Sequence, residues 1–292
     1  MTWGIGRIKI CEMETQDKTN DRDLSFSLVE NTDPQRLTTE QIEFFNENGY
    51  VKPFTAYDQG EADKQRDYFD SLMRELQATR SDLDSYAING FHTVCRGIYD
   101  LVMNPTILDH VEDLLGPNVI SWGTHFFCKL PHDPKKVGWH QDASYWPLSP
   151  ARTVTAWLAI DDSDRENSAM MFMPGTHRKG PLEWHTVKGP TVLYQEIENI
   201  ESYGEPVYDE LKAGAFSLHA DMLAHGSEPN ASDRRRCGLT IRYCAPSVVA
   251  LDPGWARNTI LCRGSADGSD WQFPPRPEGE DLQAKFEAGG GN

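Results

Sequence analysis

The chain has 292 residues, of which 38% are hydrophobic, so it is long enough to bury a sizeable core. Its formal net charge of -17 argues against nucleic acid or an anionic membrane surface as a partner, because both require clustered Lys and Arg. No stretch approaches the roughly 18 apolar residues that a membrane-spanning helix needs.

The N-terminal part of the chain predicts helices that follow a polar leader at residues 1–36. Thr38 or Thr39 is suited to cap the first helix, and Gly49 is suited to end it. The apolar stripe of that helix consists of Ile42, Phe44 and Phe45. A strand is expected to start at Tyr50.

Two more helices are predicted at residues 60–83 and 106–115, because apolar residues recur there at helical spacing. Gly116 and Pro117 stop the second of them. These helices should pack against whatever core the rest of the chain forms.

From residue 119 onward, short runs of β-branched and aromatic residues alternate with turn-forming residues. The expected strands are residues 119–122, 125–130, 153–160, 170–173, 215–219 and 239–244. This rhythm predicts an antiparallel sandwich or barrel, and hence a β-rich α+β fold with the helices packed on it. We expect one domain at residues 37–263 and a flexible tail at residues 264–292, which are rich in Gly, Pro and acidic residues.

The cysteines show no CxxC spacing, and a chain of this length does not depend on a disulfide framework. Free thiols and a reducing compartment are therefore expected. The N-terminal segment lacks the apolar run of a secretory signal, which favours the cytoplasm.

One segment, Gly138-Trp139-His140-Gln141-Asp142, indicates a metal site. On a strand, residues two apart point to the same side, so His140 and Asp142 could share one ion. Two His and one carboxylate form the facial triad of non-haem iron(II) oxygenases. A second His-X-Asp pair, His219 and Asp221, is the rival for this role.

The third ligand and a nearby cation are expected further along the chain. His225 follows a predicted strand and precedes a polar turn, and the chain returns through Arg236 into the next strand. We therefore expect His225 and Arg236 on neighbouring strands of a hairpin. A buried Arg can clamp a carboxylate through two parallel hydrogen bonds. Arg234 and Arg235 are expected to be solvated loop charges, although a shift of register could exchange one of them with Arg236.

Several segments between Leu37 and Tyr243 resemble the phytanoyl-CoA dioxygenase family. They are LTTEQIEFFNENGYV, GWHQD, TAWLAIDD, MPGTHR and HGSEPN, the last followed by Arg. The resemblance implies a double-stranded β-helix core of the jelly-roll or cupin type, and an enzyme that uses Fe(II), 2-oxoglutarate and O2.

The resemblance also implies roles for individual residues. His140, Asp142 and His225 would bind iron, and Arg236 would bind the far carboxylate of 2-oxoglutarate. Ser227 and Trp157 would contact this cosubstrate, and His125 is a further candidate for its pocket.

The reaction that the resemblance implies is hydroxylation of an aliphatic C–H bond of a small molecule, with release of succinate and CO2. Related iron halogenases carry a small residue at the position of Asp142, so the carboxylate here favours hydroxylation.

The substrate pocket is less defined. Aromatic residues beside the His-X-Asp pair could line it or belong to the core, and these are Trp139, Tyr145 and Trp146. Three cationic side chains could meet an anionic group of the substrate, and these are Lys129, Arg152 and Arg96. The acidic surface argues against a large polyanion such as an acyl-CoA.

Two other classes of protein fit part of the pattern. A jelly-roll protein that binds a metal or a ligand without turnover would need no clamp for a keto acid. A zinc hydrolase would need a general base beside the metal, and no HExxH or similar motif supplies one.

Overall fold

A computed structural model describes residues 22–287. The helices of this part of the chain are α1 (Thr39–Asn48), α2 (Gln59–Thr79), α3 (Arg96–Val102), α4 (Pro105–Leu115) and α5 (Ala284–Glu287). Its strands are β1 (Tyr50–Thr55), β2 (Val119–Lys129), β3 (Val137–His140), β4 (Leu148–Ser149), β5 (Thr153–Ala159), β6 (Met171–Phe172), β7 (Trp184–Thr186), β8 (Gln195–Ile197), β9 (Val207–Tyr208), β10 (Ala215–Ala220), β11 (His225–Ser227), β12 (Arg236–Cys244), β13 (Val249–Ala250) and β14 (Ile260–Arg263).

Local capping explains where α1 begins and ends. The Thr38 hydroxyl accepts from the Gln41 N–H, and the Gln41 side chain accepts from the Thr38 N–H, which closes a capping box. Gly49 ends the helix with a positive φ of 84°, a conformation that favours glycine. The predicted apolar stripe is wrong at Phe44, which is 41% exposed.

The other N-terminal helices differ from the predictions mainly at their boundaries. Helix α2 ends at Thr79, earlier than expected, and α4 begins with Pro105 after the cap residue Asn104. Helix α3 was not predicted. Its cap residue, Cys95, makes no side-chain hydrogen bond, so the sequence carries no clear signal for its start.

The strands form two main antiparallel sheets. The larger sheet has the order β1-β10-β5-β12-β2-β14, and the smaller has the order β3-β11-β6-β9. Residues from both sheets line one cavity, as in a jelly roll. The predicted sandwich or barrel is confirmed, but the expected strands 119–122 and 125–130 are one continuous strand, β2.

The larger sheet has one face toward the helices and the other toward the cavity, and strand β12 shows this clearly. Its side chains at Cys237, Leu239, Ile241 and Tyr243 belong to the hydrophobic core that the helices cover. Alternate positions Arg236, Thr240 and Arg242 line the cavity instead. The core therefore lies behind the sheet, and the functional site lies in front of it.

Both ends of the described chain are attached to the domain. Residues 22–36 contain no helix or strand, yet the Asp113 carboxylate accepts from the backbone N–H groups of Gln35, Arg36 and Leu37. In the tail, the side chain of Trp271 is 6% exposed and that of Leu282 is 2% exposed. These described residues of the leader and the tail therefore pack on the domain. Residues 1–21 and 288–292 lie outside the described part, and the division into a leader, one domain and a flexible tail stays a prediction.

The cysteines within residues 22–287 are free, as predicted, and they are buried; Cys11 lies outside this range. Among the described helices, none combines the length and the apolar character of a membrane span.

Candidate metal centre

Two neighbouring strands of the smaller sheet carry the predicted histidines. His140 ends β3, His225 begins β11, and the two residues are directly paired in the antiparallel ladder. Asp142 was predicted to lie on the same strand as His140. Instead, it begins a short 3-10 turn at Asp142–Ser144. The turn still directs the carboxylate to the histidines, so the structure brings the three residues together by a different local geometry.

The three side chains offer ligand atoms that all lie within 4.8 Å of one another. His140 Nε2 is 3.5 Å from Asp142 Oδ1, and His225 Nε2 is 4.0 Å from Asp142 Oδ2. Each ring has its Nδ1 beside a backbone carbonyl, that of Gly138 at 2.8 Å and that of Leu223 at 2.9 Å. Donation from Nδ1–H to these carbonyls leaves the Nε2 lone pairs directed at the centre.

The electrostatics of the three residues also suit a cation. Burial alone would raise the pKa of Asp142, but the His140 hydrogen bond and the nearby His225 and Arg242 hold that pKa well below its usual range. Burial, and next the neighbouring His140, lower the pKa of His225. An ionised Asp142 and a neutral His225 are the protonation states that a divalent metal requires of these ligands.

This donor set fits Fe(II). Within residues 22–287, His140, Asp142 and His225 are the one group of three or more His, Cys, Asp or Glu side chains with this spacing. Two imidazoles and one carboxylate match the facial triad, which leaves coordination positions open for a cosubstrate.

The two residues of the rival pair, His219 and Asp221, do not share a site. The Asp221 carboxylate accepts from the Thr153 backbone N–H at 2.9 Å. His219 is buried, its Nε2 lies 4.0 Å from Asp142 Oδ2, and neither ring nitrogen has a hydrogen-bond partner among the described residues. His219 therefore lies beside the centre, but Asp221 is bound to the backbone.

The predicted cosubstrate residues meet at one end of the cavity. Arg236 is 2% exposed and donates to the Ser227 hydroxyl and to the Ser168 carbonyl, both at 3.1 Å. Its guanidinium carbon lies 5.7 Å from the centre of the Trp157 ring. The expected hairpin between His225 and Arg236 is wrong, because β11 and β12 belong to different sheets that face each other across the cavity.

The structure identifies Arg236 as the buried member of three consecutive arginines. The Arg234 guanidinium is exposed and pairs with Asp164 and Glu166. Arg235 differs from the prediction of a solvated charge, because its guanidinium is largely buried and pairs with Asp161.

His125 is placed on the cavity face of β2, opposite Thr240, but it is not among the residues that line the cavity. Its Nε2 lies 2.8 Å from the Tyr86 carbonyl, and burial, followed by the charge of Arg242, lowers its pKa to about 4. A role for His125 toward the cosubstrate stays a prediction.

The three aromatic candidates for the substrate pocket lie in different places. The Tyr145 ring centre lies 5.8 Å from that of His140, and Trp146 packs edge-on against Trp122. Trp139 packs instead in a cluster with Met173, on the other side of β3.

None of the three predicted cations lines the cavity. Lys129 donates to the carbonyls of Ser227 and Glu228, and Arg96 donates to the Glu278 carbonyl. Arg152 is bonded to the Ser27 hydroxyl at the surface.

The cavity includes residues that sequence reasoning missed. They are Phe127, Val137, Met170, Gly226, Thr240 and Arg242. The polar-apolar alternation of β12 was a signal for Thr240 and Arg242, since it puts them on the face that carries Arg236.

Comparison with known proteins agrees with this geometry. Residues 45–238 match the model of the family described as phytanoyl-CoA dioxygenase. The peroxisomal phytanoyl-CoA dioxygenase of Bos taurus is 26% identical over 240 residues, which cover 74% of this chain and 71% of that protein. A protein of Stutzerimonas stutzeri named "Probable alpha-ketoglutarate-dependent hypophosphite dioxygenase" is 28% identical over 164 residues, which cover 55% of this chain and 57% of that protein. Among solved structures, the apo form of the non-heme monooxygenase ThoJ superposes with a TM-score of 0.71 at 29% identity, covering 84% of this chain and 91% of that one.

Proposed function

The chain belongs to the phytanoyl-CoA dioxygenase family and is an Fe(II)- and 2-oxoglutarate-dependent dioxygenase, and we propose that it hydroxylates an aliphatic C–H bond of a small organic substrate. In this proposal 2-oxoglutarate loses CO2 and gains one oxygen atom of O2 to become succinate, and the other oxygen atom becomes the hydroxyl group of the product. The observation that carries it is that one cavity holds both the His140, Asp142 and His225 centre and the buried Arg236.

We assign metal binding to His140, Asp142 and His225. Bound Fe(II) would supply the activation of O2 and the oxidation of the substrate. The backbone carbonyls of Gly138 and Leu223 orient the two imidazoles, which fixes the direction of both Nε2 lone pairs before the metal arrives.

Arg236 is assigned to the far carboxylate of 2-oxoglutarate, with Ser227 and Trp157 beside it. Ser227 and Ser168 already hold the guanidinium in place, so little side-chain entropy remains to be lost when a carboxylate binds. The Trp157 indole supplies an apolar wall that excludes water and so strengthens the ion pair.

Anaerobic absorbance titration of the Fe(II)-loaded protein with 2-oxoglutarate tests these assignments. We expect a weak visible charge-transfer band in the wild type, because a chelating keto acid gives one on Fe(II). Arg236→Met should weaken the apparent affinity for 2-oxoglutarate by at least roughly 30-fold, the effect of removing one partner of a buried charge pair. Asp142→Ala should weaken Fe(II) binding by more than the 10- to 100-fold typical of groups that only support a ligand.

Arg234→Met is the matched control, because it removes the same charge two residues away at the surface. Its titration should resemble that of the wild type. A folded wild type that gives no band would contradict the assigned site and would favour a ligand-binding protein without turnover. Once a substrate is found, a product that has not gained one oxygen atom would contradict hydroxylation.

A further inference from the structure

We propose that Arg242 binds a carboxylate group of the organic substrate, at the end of the cavity opposite Arg236. This inference rests on the proposed function, because it assigns the substrate class for the same site. It concerns a residue that the sequence reasoning did not single out.

The two arginines share one face of one strand. Arg236 and Arg242 are six positions apart on β12, so their backbones are about 20 Å apart at roughly 3.4 Å per residue. Both line the cavity, together with His140, Asp142 and His225. They are the only Lys or Arg side chains among its described lining residues. With Arg236 assigned to 2-oxoglutarate, Arg242 is the remaining cation of the cavity.

Arg242 is buried without a partner. The residue is 9% exposed, and its Nε is completely buried with no hydrogen-bond partner within residues 22–287. No carboxylate of these residues lies within 4.0 Å of its nitrogens. Burying an unpaired cation is costly, so a guanidinium in this state indicates that its partner comes from outside residues 22–287.

The surroundings hold the guanidinium but do not neutralise it. Its central carbon lies over the rings of Trp122 and Trp146, at 5.6 and 5.2 Å from their centres. The pairing of β12 with β2 skips Trp122, passing from Arg242–Gly123 to Tyr243–Ser121. Such a bulge re-aims a side chain, and here the indole is directed at Arg242. The indole faces attract the cation but accept no conventional hydrogen bond from it, so its N–H groups stay available.

A planar carboxylate is the partner that fits these groups best. A guanidinium presents parallel N–H bonds that match the two oxygens of a carboxylate. The charge of Asp142 acts on Arg242, but the two make no ion pair within 4.0 Å, and Asp142 is assigned to the metal. A substrate carboxylate at Arg242 would hold the rest of the molecule toward the centre, between the two tryptophans and the histidines.

The test measures binding to the anaerobic protein loaded with Fe(II) and saturating 2-oxoglutarate, so that Arg236 is occupied. The probes are short straight-chain, branched and aromatic carboxylic acids, each paired with its primary amide. We expect some acids to perturb the charge-transfer band and to stimulate succinate release in air. The matching amides should bind roughly 10- to 100-fold more weakly, the cost of losing hydrogen bonds to a charged group.

Arg242→Met should reduce the affinity for those acids to that for their amides, whereas Arg242→Lys should recover part of the difference. The 2-oxoglutarate affinity of Arg242→Met should stay within about threefold of wild type, because the altered side chain is at the other end of the cavity. Arg152→Met, which removes a surface cation, is the control and should keep the preference for acids.

The outcomes separate the two proposals. A wild type without the 2-oxoglutarate band defeats the proposed function itself. A wild type that shows the band but binds acids and amides equally, or binds no acid of the panel, overturns the role of Arg242 alone. So does an Arg242→Met protein that keeps the wild-type preference for acids.

Discussion

The two ends of strand β12 place the same side chain in opposite conditions. Arg236 donates to the Ser227 hydroxyl and to the Ser168 carbonyl. Arg242 lies on the same face and is also buried, but its Nε has no partner among the described residues. Hydrogen bonds from the guanidinium therefore fix Arg236 before a ligand binds, whereas the Nε of Arg242 is left without a hydrogen bond.

The difference matches two kinds of ligand. A cosubstrate that is the same in every turnover favours a rigid site in which the binding group is already positioned. A substrate that enters last must release free energy on arrival, and an unsatisfied cation supplies a strong interaction at that moment. The packing around the backbone is also tighter beside Arg236 than beside Arg242.

The largest contrast is expected between two glycines beside the arginines, neither of which has a positive φ. A Cβ at Gly238 would lie 2.1 Å from Cζ2 of Trp157, whereas a Cβ at Gly123 would lie 3.7 Å from Cδ of Arg242. Gly238→Ala should therefore lower the free energy of unfolding by about 3 kcal/mol, as overpacking does, and should weaken 2-oxoglutarate binding. Urea denaturation and the absorbance titration measure the two effects.

Gly123→Ala is the matched control in the adjacent strand. Its free energy of unfolding should stay within about 0.5 kcal/mol of wild type, or rise slightly, because Ala loses less backbone entropy than Gly on folding. If both alanine variants are equally stable and bind 2-oxoglutarate equally well, the Arg236 end is not packed more tightly than the Arg242 end.

The second contrast is between the arginines themselves. Replacing either one with Met removes a buried charge, so that contribution is common to both variants. Only Arg236→Met also leaves the Ser227 hydroxyl and the Ser168 carbonyl without their donor. We therefore expect Arg236→Met to be less stable than Arg242→Met by about 1–3 kcal/mol in urea denaturation.

Added ligand should separate the same two variants further. With Fe(II) and 2-oxoglutarate at about 100 times the dissociation constant, Arg242→Met should gain about 2.7 kcal/mol, as the wild type does. Arg236→Met should gain much less at that concentration. Equal stability and equal gains in both variants would remove the distinction between a prepared and an unsatisfied arginine.

The sequence predicted the features that local chemistry determines. Thr38 and Gly49 bound helix α1 because a capping side chain and a left-handed glycine are visible in a few residues. Helix α3 was missed because Cys95 offers no such cap. Strand β2 was predicted as two strands because Gly123 interrupts its apolar run. In the structure it is one strand, because it pairs with β12 on both sides of Gly123.

Long-range contacts were beyond the reach of the sequence. Arg235 pairs with Asp161, a residue 74 positions earlier, and nothing in the run of three arginines indicates that partner. Asp142 was expected on a strand, but the chain turns there and reaches the histidines through a 3-10 turn. In the sequence, Arg242 is one polar residue in the alternating pattern of a strand. Its burial without a hydrogen bond at Nε follows from the packing of two sheets, which the sequence does not show.

The smallest expected effect concerns His125, which lies on the cavity face of β2 between the two ends. Its folded pKa of about 4 is lower than the ordinary 6.5, first because of burial and then because of Arg242. The folded protein therefore holds a neutral ring, while the unfolded chain takes up a proton as the pH falls through 6.5. The stability that this group contributes is present above that pH and is lost as the pH falls toward 4.

Between about pH 7 and pH 5.5, this one group should cost the wild type about 1 kcal/mol of unfolding free energy. His125→Gln should lack that part of the loss in urea denaturation at the two pH values. His92, whose pKa is also lowered to about 4, should keep contributing to both proteins, so the difference between them isolates His125.

Arg242→Met should also reduce the loss, because removing the cation raises the pKa of His125, whereas Arg152→Met at the surface should not. Identical slopes in wild type and His125→Gln would show that the pKa of His125 is not lowered in the folded protein. A smaller slope in His125→Gln together with a wild-type slope in Arg242→Met would assign the lowering to burial alone, and the contrast between the two ends of β12 would then rest on packing.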